Sequence, residues 1–271
     1  MKHEIRFNFG GGLFSYMGIL LENLNKWDDK GTINPSDSIY VDHRGGDGRS
    51  YYRALEYNFF DYILEQEKGN GEKTLNSTEI HPVYLNEFLN KKEKYKYITK
   101  NYLKLHPEIK KQINTYVNGN FGGNVLGVHV RVTDMNHSHP YLGIVNNTHY
   151  LDKISQVLNN GNFDKVFVAS DNNETIEQLI KEYGDLIMYY PTEFRSETSS
   201  NFTLKTVIPK WSKNPQFFID SFIDCMILSN CDESIGRIST FNWFSQSVHT
   251  SKIKKYHHID GDKSNRKDPN L

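Results

Sequence analysis

Apolar and polar positions along this chain follow two periods, and the switch between them repeats. "EIRFNF" (4–9) predicts a short strand, "GGG" (10–12) a turn, and "LFSYMGILLENLNKW" (13–27) an amphipathic helix. "SIYVDH" (38–43) predicts a second strand, "RGGDGRS" (44–50) a glycine-rich loop, and "YYRALEYNFFDYILEQ" (51–66) a second helix. Residues 67–80 are polar and predict a loop; 83–118 predict two helices of mixed polarity, ending at "NGNFGGN" (118–124). Beyond that point the pattern is cleaner. Strands are predicted at 125–132, 165–170, 186–190, 233–238 and 254–259, with helices at 148–160, 173–184, 215–231 and 239–250. Residues 192–214 form a long polar connection.

Strands and helices alternating in units of about 30 residues indicate βαβ crossovers and a parallel sheet. The expected class is α/β, two Rossmann-like halves facing a cleft. An N-terminal half at 1–120 and a C-terminal half at 121–259 are followed by a flexible tail at 260–271. In such sheets ligands sit beyond the carboxyl ends of the strands. "GVHVRVTDM" (127–135) therefore delivers His129, Arg131 and Asp134 to a binding edge. If Val128, Val130 and Val132 share one face, His129 and Arg131 share the other.

Arg131 alone reads as a salt bridge to a neighbouring helix. A second segment of the same type turns the reading toward an anion. "SIGRISTF" (234–241) is a strand that ends in Ser239 and Thr240, which open a helix. Hydroxyls and exposed N–H groups at a helix start serve as an ordinary cap or, facing Arg131, as a phosphate site. On the apolar helix "FFIDSFIDCMIL" (217–228), Asp220 and Asp224 stand four residues apart on one face. Each is either solvated or, turned inward, a carboxylate that must find a partner, such as the adjacent N–H donors of guanine.

Other features weigh less. The run around Gly11 and Gly12 lacks the Lys-Ser/Thr of a P-loop and does not complete a dinucleotide fingerprint; it marks close backbone approach, at the cleft between halves. His137 and His139 could hold zinc but have no evident companions, so no metal is expected. Lys+Arg is 32 and Asp+Glu 33, which argues against a nucleic-acid partner. No apolar run of about 18 residues occurs, so no transmembrane segment is expected. Without an export signal at the start, the expected location is cytoplasmic. Cys225 and Cys231, the two cysteines, read as buried free thiols.

"GVHVRVTD", "DKVFVASDN" and "FIDCMILSNCDESIGRISTFNWFSQ", in that order and spacing, resemble the GDP-fucose-dependent fucosyltransferase superfamily over roughly residues 125–250. "GGGLFSYMGILLENL" more loosely resembles the start of its α1,2 group. The resemblance implies a GT-B-like fold and metal-independent, inverting transfer of fucose from GDP-fucose, or of a related sugar from its GDP donor, to a glycan acceptor. It implies that His129 and Asp224 hold guanine, and that Arg131, Ser239 and Thr240 hold the β-phosphate. Departures are Val132, where the family carries a second arginine, and Met135, where the α1,6 enzymes carry lysine. The family's presumed base falls near His139, leaving Asp134, His137 or His139 as the base. Two other readings stay open: an inactive nucleotide-sugar-binding member, and an unrelated α/β phosphate-ester hydrolase.

Overall fold

The structure, a computed structural model, describes residues 1–7, 13–42, 57–66, 73–76, 91–131, 145–192, 195 and 214–260. The first half is a three-stranded parallel sheet in the order β2-β1-β3, made of β1 (Lys2–Arg6), β2 (Ser38–Asp42) and β3 (Lys73–Asn76). Between its strands lie α1 (Leu13–Asp29) and the short α2 (Phe60–Ile63). Strand β3 corrects the expected loop over 67–80. Only Leu75 of "KTLN" contributes a buried apolar side chain, so the strand is held by its ladder to β1 and leaves little hydrophobic pattern. The helix expected over 51–66 is seen as α2 alone; its earlier part lies outside the described residues.

Helices α3 (Lys92–Tyr102) and α4 (Pro107–Asn120) lead into the second half. Pro107 opens α4, where its missing N–H is no loss. Next come β4 (Val125–Val130), α5 (Asn147–Asn160), β5 (Lys165–Ser170), α6 (Asn173–Tyr183), the two-residue β6 (Ile187–Met188), α7 (Gln216–Leu228), β7 (Glu233–Gly236), α8 (Thr240–Ser247) and β8 (Lys255–His258). All five strands are parallel, in the order β6-β5-β4-β7-β8. The chain builds outward from β4 on one side, then returns through α7 to build on the other. The strand order therefore reverses between β4 and β7, the crevice in which open α/β sheets bind ligands.

Side-chain alternation divides the second half into two apolar layers. Leu126, Val128 and Val130 pack with Val166, Val168 and Ile235 under α5 and α6. Val125, Phe167 and Ala169 face the other way, toward α4, α7 and α8. That second layer runs on without a break into the first half, through Leu13, Met17 and Leu20 of α1 and Phe59, Phe60 and Ile63. Helix α1 packs on α3 and α8, and α2 on α7. Phe59 stacks on Phe218 at 5.1 Å, and the Tyr57 hydroxyl donates to the Asn214 carbonyl at 2.9 Å. Both thiols are buried and free: Cys225 donates to the Phe241 carbonyl at 3.5 Å and Cys231 to Ile227 at 3.9 Å.

The approach of α7 to β4 is close enough to demand glycine. A Cβ on Gly127 would lie 2.5 Å from Leu228 Cδ1 and 2.9 Å from Cys231 Sγ. Gly127→Ala is expected to overpack this contact and destabilise the protein by about 1–3 kcal/mol, read as a lower urea midpoint at unchanged slope. A midpoint equal to that of the wild type would mean that α7 is free to shift.

Candidate functional site

Strand β4 ends at Val130, and its register sets His129 against Ala169 on one side and Gly236 on the other. His129 points into the layer shared with α7 and α8, as expected from the alternation. Its ring stacks on Phe241 at 4.0 Å with an interplanar angle of 11°. The histidine is 7% exposed. Burial, then the positive charge of Arg131, depress its pKa to about 3, with Asn242 opposing weakly. The imidazole is therefore neutral, and offers a donor and an acceptor but no charge.

Arg131 follows β4 immediately, half-buried, and its backbone N–H donates to the Tyr150 hydroxyl of α5 at 3.3 Å. That phenol is buried and pushed up to about 12, first by its burial. Across the crevice, the loop from β7 to α8 carries Arg237, Ser239 and Thr240. Arg237 is buried, and its pKa is lowered by burial and by Arg131, so the two guanidinium groups feel one another. The loop is tightly held. Asn242 donates to the Arg237 carbonyl at 2.7 Å, and so does the Tyr256 hydroxyl at 2.7 Å. Gly236 is a second forced glycine, since a Cβ there would lie 2.3 Å from the Asn242 amide nitrogen.

Ser239 is the N-cap of α8: its hydroxyl oxygen accepts from the Asn242 N–H at 3.2 Å. Its carbonyl accepts from Trp243 N–H at 3.0 Å. The N–H groups of Thr240 and Phe241 stay at the open end of the helix, where its dipole is positive. The Ser239 cap thus takes up the Asn242 N–H and leaves those of the first two helical residues to the dipole end.

Asp224 lies on the same face of the sheet, 6% exposed. The guanidinium of Arg195 reaches its Oδ2 at 3.5 Å, while Oδ1 is buried and meets no donor among the described residues. Burial raises its pKa to about 7; Arg195 resists that rise and Asp220 adds to it. Asp220 is engaged by the Thr192 hydroxyl and, at 2.7 Å, by the Gln216 amide.

The structure thus brings His129, Arg131, Ser239 and Thr240 to one sheet edge, with Asp224 on the His129 face. Gly11, Gly12, Asp134, His137 and His139 lie outside the described residues. Sequence reasoning missed two arginines. Arg237 had a signal, a basic residue between Ile235 and Ile238 at a strand end; Arg195 stands in a polar connection with no periodicity. Among the described residues no helix is long and apolar enough to cross a membrane.

A neutral His129 has a spectroscopic consequence. Its imidazole nitrogen shifts, followed by NMR in the free protein, are expected to stay constant between about pH 5 and 8. A transition near the ordinary value of 6.5 would contradict the buried stack on Phe241.

No family model matches the chain, and no curated protein matches it. Solved structures do. The NodZ α1,6-fucosyltransferase soaked with GDP-fucose superposes with a TM-score of 0.52 at 15% identity, over 92% of this chain and 93% of that one. The same enzyme co-crystallised with GDP gives a TM-score of 0.52 at 15% identity, with coverages of 92% and 93%. Fucosyltransferase NodZ from Bradyrhizobium gives 0.50 at 15% identity, over 90% of this chain and 92% of that one. At such identities the likeness is one of fold. The chain has the GT-B-like α/β fold of GDP-fucose-dependent fucosyltransferases.

Proposed function

We propose that the protein is a glycosyltransferase that moves fucose, with inversion and without a metal, from GDP-fucose to a hydroxyl of a glycan acceptor. The observation that carries this reading is the convergence of Arg131, Arg237 and the start of α8 at the β4/β7 crevice. The fold of structures solved with GDP and GDP-fucose supports it.

The chemistry follows from the charges. The bond between the anomeric carbon and the β-phosphate oxygen breaks, and its electron pair leaves with GDP. Positive character develops on the sugar ring and negative charge on the β-phosphate. Arg131 and the Thr240 and Phe241 N–H groups are the residues we assign to that phosphate, with the Ser239 hydroxyl as a further donor. Fixed dipoles and charges of this kind stabilise a leaving group as a metal would. Arg237 adds positive charge beside Arg131, although Val132 follows Arg131 in sequence. We assign guanine to His129 and Asp224: a neutral imidazole matches an uncharged base edge, and a carboxylate matches two adjacent N–H donors. The acceptor oxygen attacks the opposite face of the anomeric carbon, and its proton passes to a base. Asp134 and His139 are the candidates for that base, and Gly11 and Gly12 for close approach of the first half to the donor.

Calorimetric titration with GDP, ADP and UDP, with and without EDTA, tests the reading. Selective GDP binding that EDTA leaves unchanged is the expected result; no nucleotide binding would end it. Arg131→Ala is expected to weaken GDP roughly 10- to 100-fold and to abolish nearly all transfer. Unchanged GDP affinity would remove Arg131 from the phosphate. Incubation with GDP-fucose separates an enzyme, which hydrolyses or transfers, from a binding module, which does neither.

A further inference from the structure

Asp220 and Asp224 lie one turn apart on α7, and their surroundings separate them. Both oxygens of Asp220 are engaged, one by Thr192 and one by Gln216. Asp224 has one oxygen near Arg195 and one, Oδ1, with no donor among the described residues although it is buried. An acceptor orphaned in the interior costs free energy, and it persists where a ligand or water supplies the missing donor.

Arg195 is anchored independently of that carboxylate. Its Nε donates to the Ser170 carbonyl, the last residue of β5, at 2.9 Å. One terminal nitrogen donates to the Tyr190 carbonyl at 2.7 Å. The Tyr189 ring lies 5.4 Å from the guanidinium carbon. Two carbonyls and a ring thus fix the guanidinium at the carboxyl end of the sheet. The 3.5 Å approach to Asp224 Oδ2 is too long for a strong hydrogen bond but close enough for an effective Coulombic hold. Such a contact favours the charged form of the carboxylate against its burial and holds it in place without consuming its acceptor capacity.

We propose that Arg195 is a positioning residue for the base-reading carboxylate: it orients Asp224 and holds it ionised, so that Oδ1 and the remaining capacity of Oδ2 receive the two adjacent N–H donors of guanine. This rests on the nucleotide reading above. Adenine presents one amino group beside an unprotonated ring nitrogen and cannot satisfy both oxygens. Protonated Asp224 loses the same discrimination, because one oxygen becomes a donor.

The sign of the pH dependence follows. Among the described residues the groups facing Asp224 are Arg195, Asp220 and Cys225, together with Tyr116 of α4 and Tyr190 beyond β6. Both phenols and the thiol are pushed up and stay neutral, so Arg195 is the cation that opposes burial and Asp220. Asp224 ionises as pH rises through about 7. The ratio of GDP to ADP affinity therefore climbs to a plateau above that value. Taking the ratio cancels the titration of the phosphates, which the two nucleotides share.

The test is that ratio, measured by calorimetry between about pH 5 and 9, for wild type, Arg195→Gln and Arg195→Lys. In the wild type the preference for GDP is expected to level off above about 7. Arg195→Gln removes the stabilising charge, so the plateau moves to higher pH and the preference near neutrality falls roughly tenfold. Arg195→Lys keeps a charge and the plateau position, with weaker binding. A merely structural arginine would weaken GDP and ADP by one common factor with the plateau unmoved, and that result would overturn the proposal. Should Arg195→Gln not fold, the wild-type profile still decides: a ratio that does not vary with pH rejects a reading carboxylate held by Arg195. Wild type that binds no GDP defeats the nucleotide reading itself, whereas selective wild type with indifferent variants defeats only the role of Arg195.

Discussion

The parallel contact between His129 and Phe241 ties the candidate site to the rest of the molecule. His129 is the penultimate residue of a buried central strand; Phe241 lies in the first turn of α8 on the other side of the crevice. Phe241 is met from its far side by Phe14 of α1 at 4.6 Å, and Phe14 also reaches Phe244 at 6.0 Å. One file of aromatic rings thus runs from the first half, through the first turn of α8, to the histidine at the sheet edge. The stack fixes where α8 begins relative to β4. The positions of Ser239 and Thr240 opposite Arg131 follow from it, because the β7–α8 loop is too short and too well hydrogen-bonded to adjust.

The same burial acts on charge in opposite directions at the two positions assigned to the base. His129 is depressed to about 3 from 6.5, and Asp224 is raised to about 7 from 3.8. His129 therefore contributes stability that is present above 6.5 and is lost as pH falls toward 3. Asp224 contributes stability that is present below 3.8 and is lost as pH rises through about 7. Near neutrality the fold keeps the neutral histidine at no ionisation cost, but carries a carboxylate it would rather protonate. That cost comes first from burial, and one oxygen of Asp224 meets no donor among the described residues, while both oxygens of the neighbouring Asp220 are engaged. A buried carboxylate with a raised pKa at the carboxyl end of a parallel sheet fits the pattern of groups at functional sites.

Most of the second half was legible because its strands are short, rich in valine and isoleucine, and separated by helices of strong 3.6-residue period. The strand at 165–170 was placed at its observed limits, and helix limits differ by a residue or two at most ends. The strand at 125–132 ends two residues earlier because the Arg131 N–H turns to the Tyr150 hydroxyl and leaves the ladder, a tertiary event with no local signature. Strand β3 was hidden because backbone pairing to β1 needs no apolar side chains on an edge. The cap at Ser239 was legible as a residue type, but only the structure shows that its oxygen is committed to Asn242. Arg195 was illegible for a deeper reason. Its partners Ser170, Tyr190 and Asp224 lie on three different segments, and nothing in "TEFRSETSS" says that its arginine turns inward.

The continuous core bears on how such a site can operate. Rotation of one half against the other as a rigid body would have to part α1 from α8 and α2 from α7. It would open Phe14 from Phe241, and Phe59 from Phe218, exposing large aromatic surfaces that now exclude water. Each of these rings buries enough apolar area for the loss to amount to about 1.5–3 kcal/mol. The described elements therefore form one packed body, and the edge that carries Arg131, Arg237 and the start of α8 is part of it. An edge within a packed body suits a reaction whose main demand is stabilisation of a leaving diphosphate, because charges and dipoles fixed in advance need not reorganise as the bond breaks.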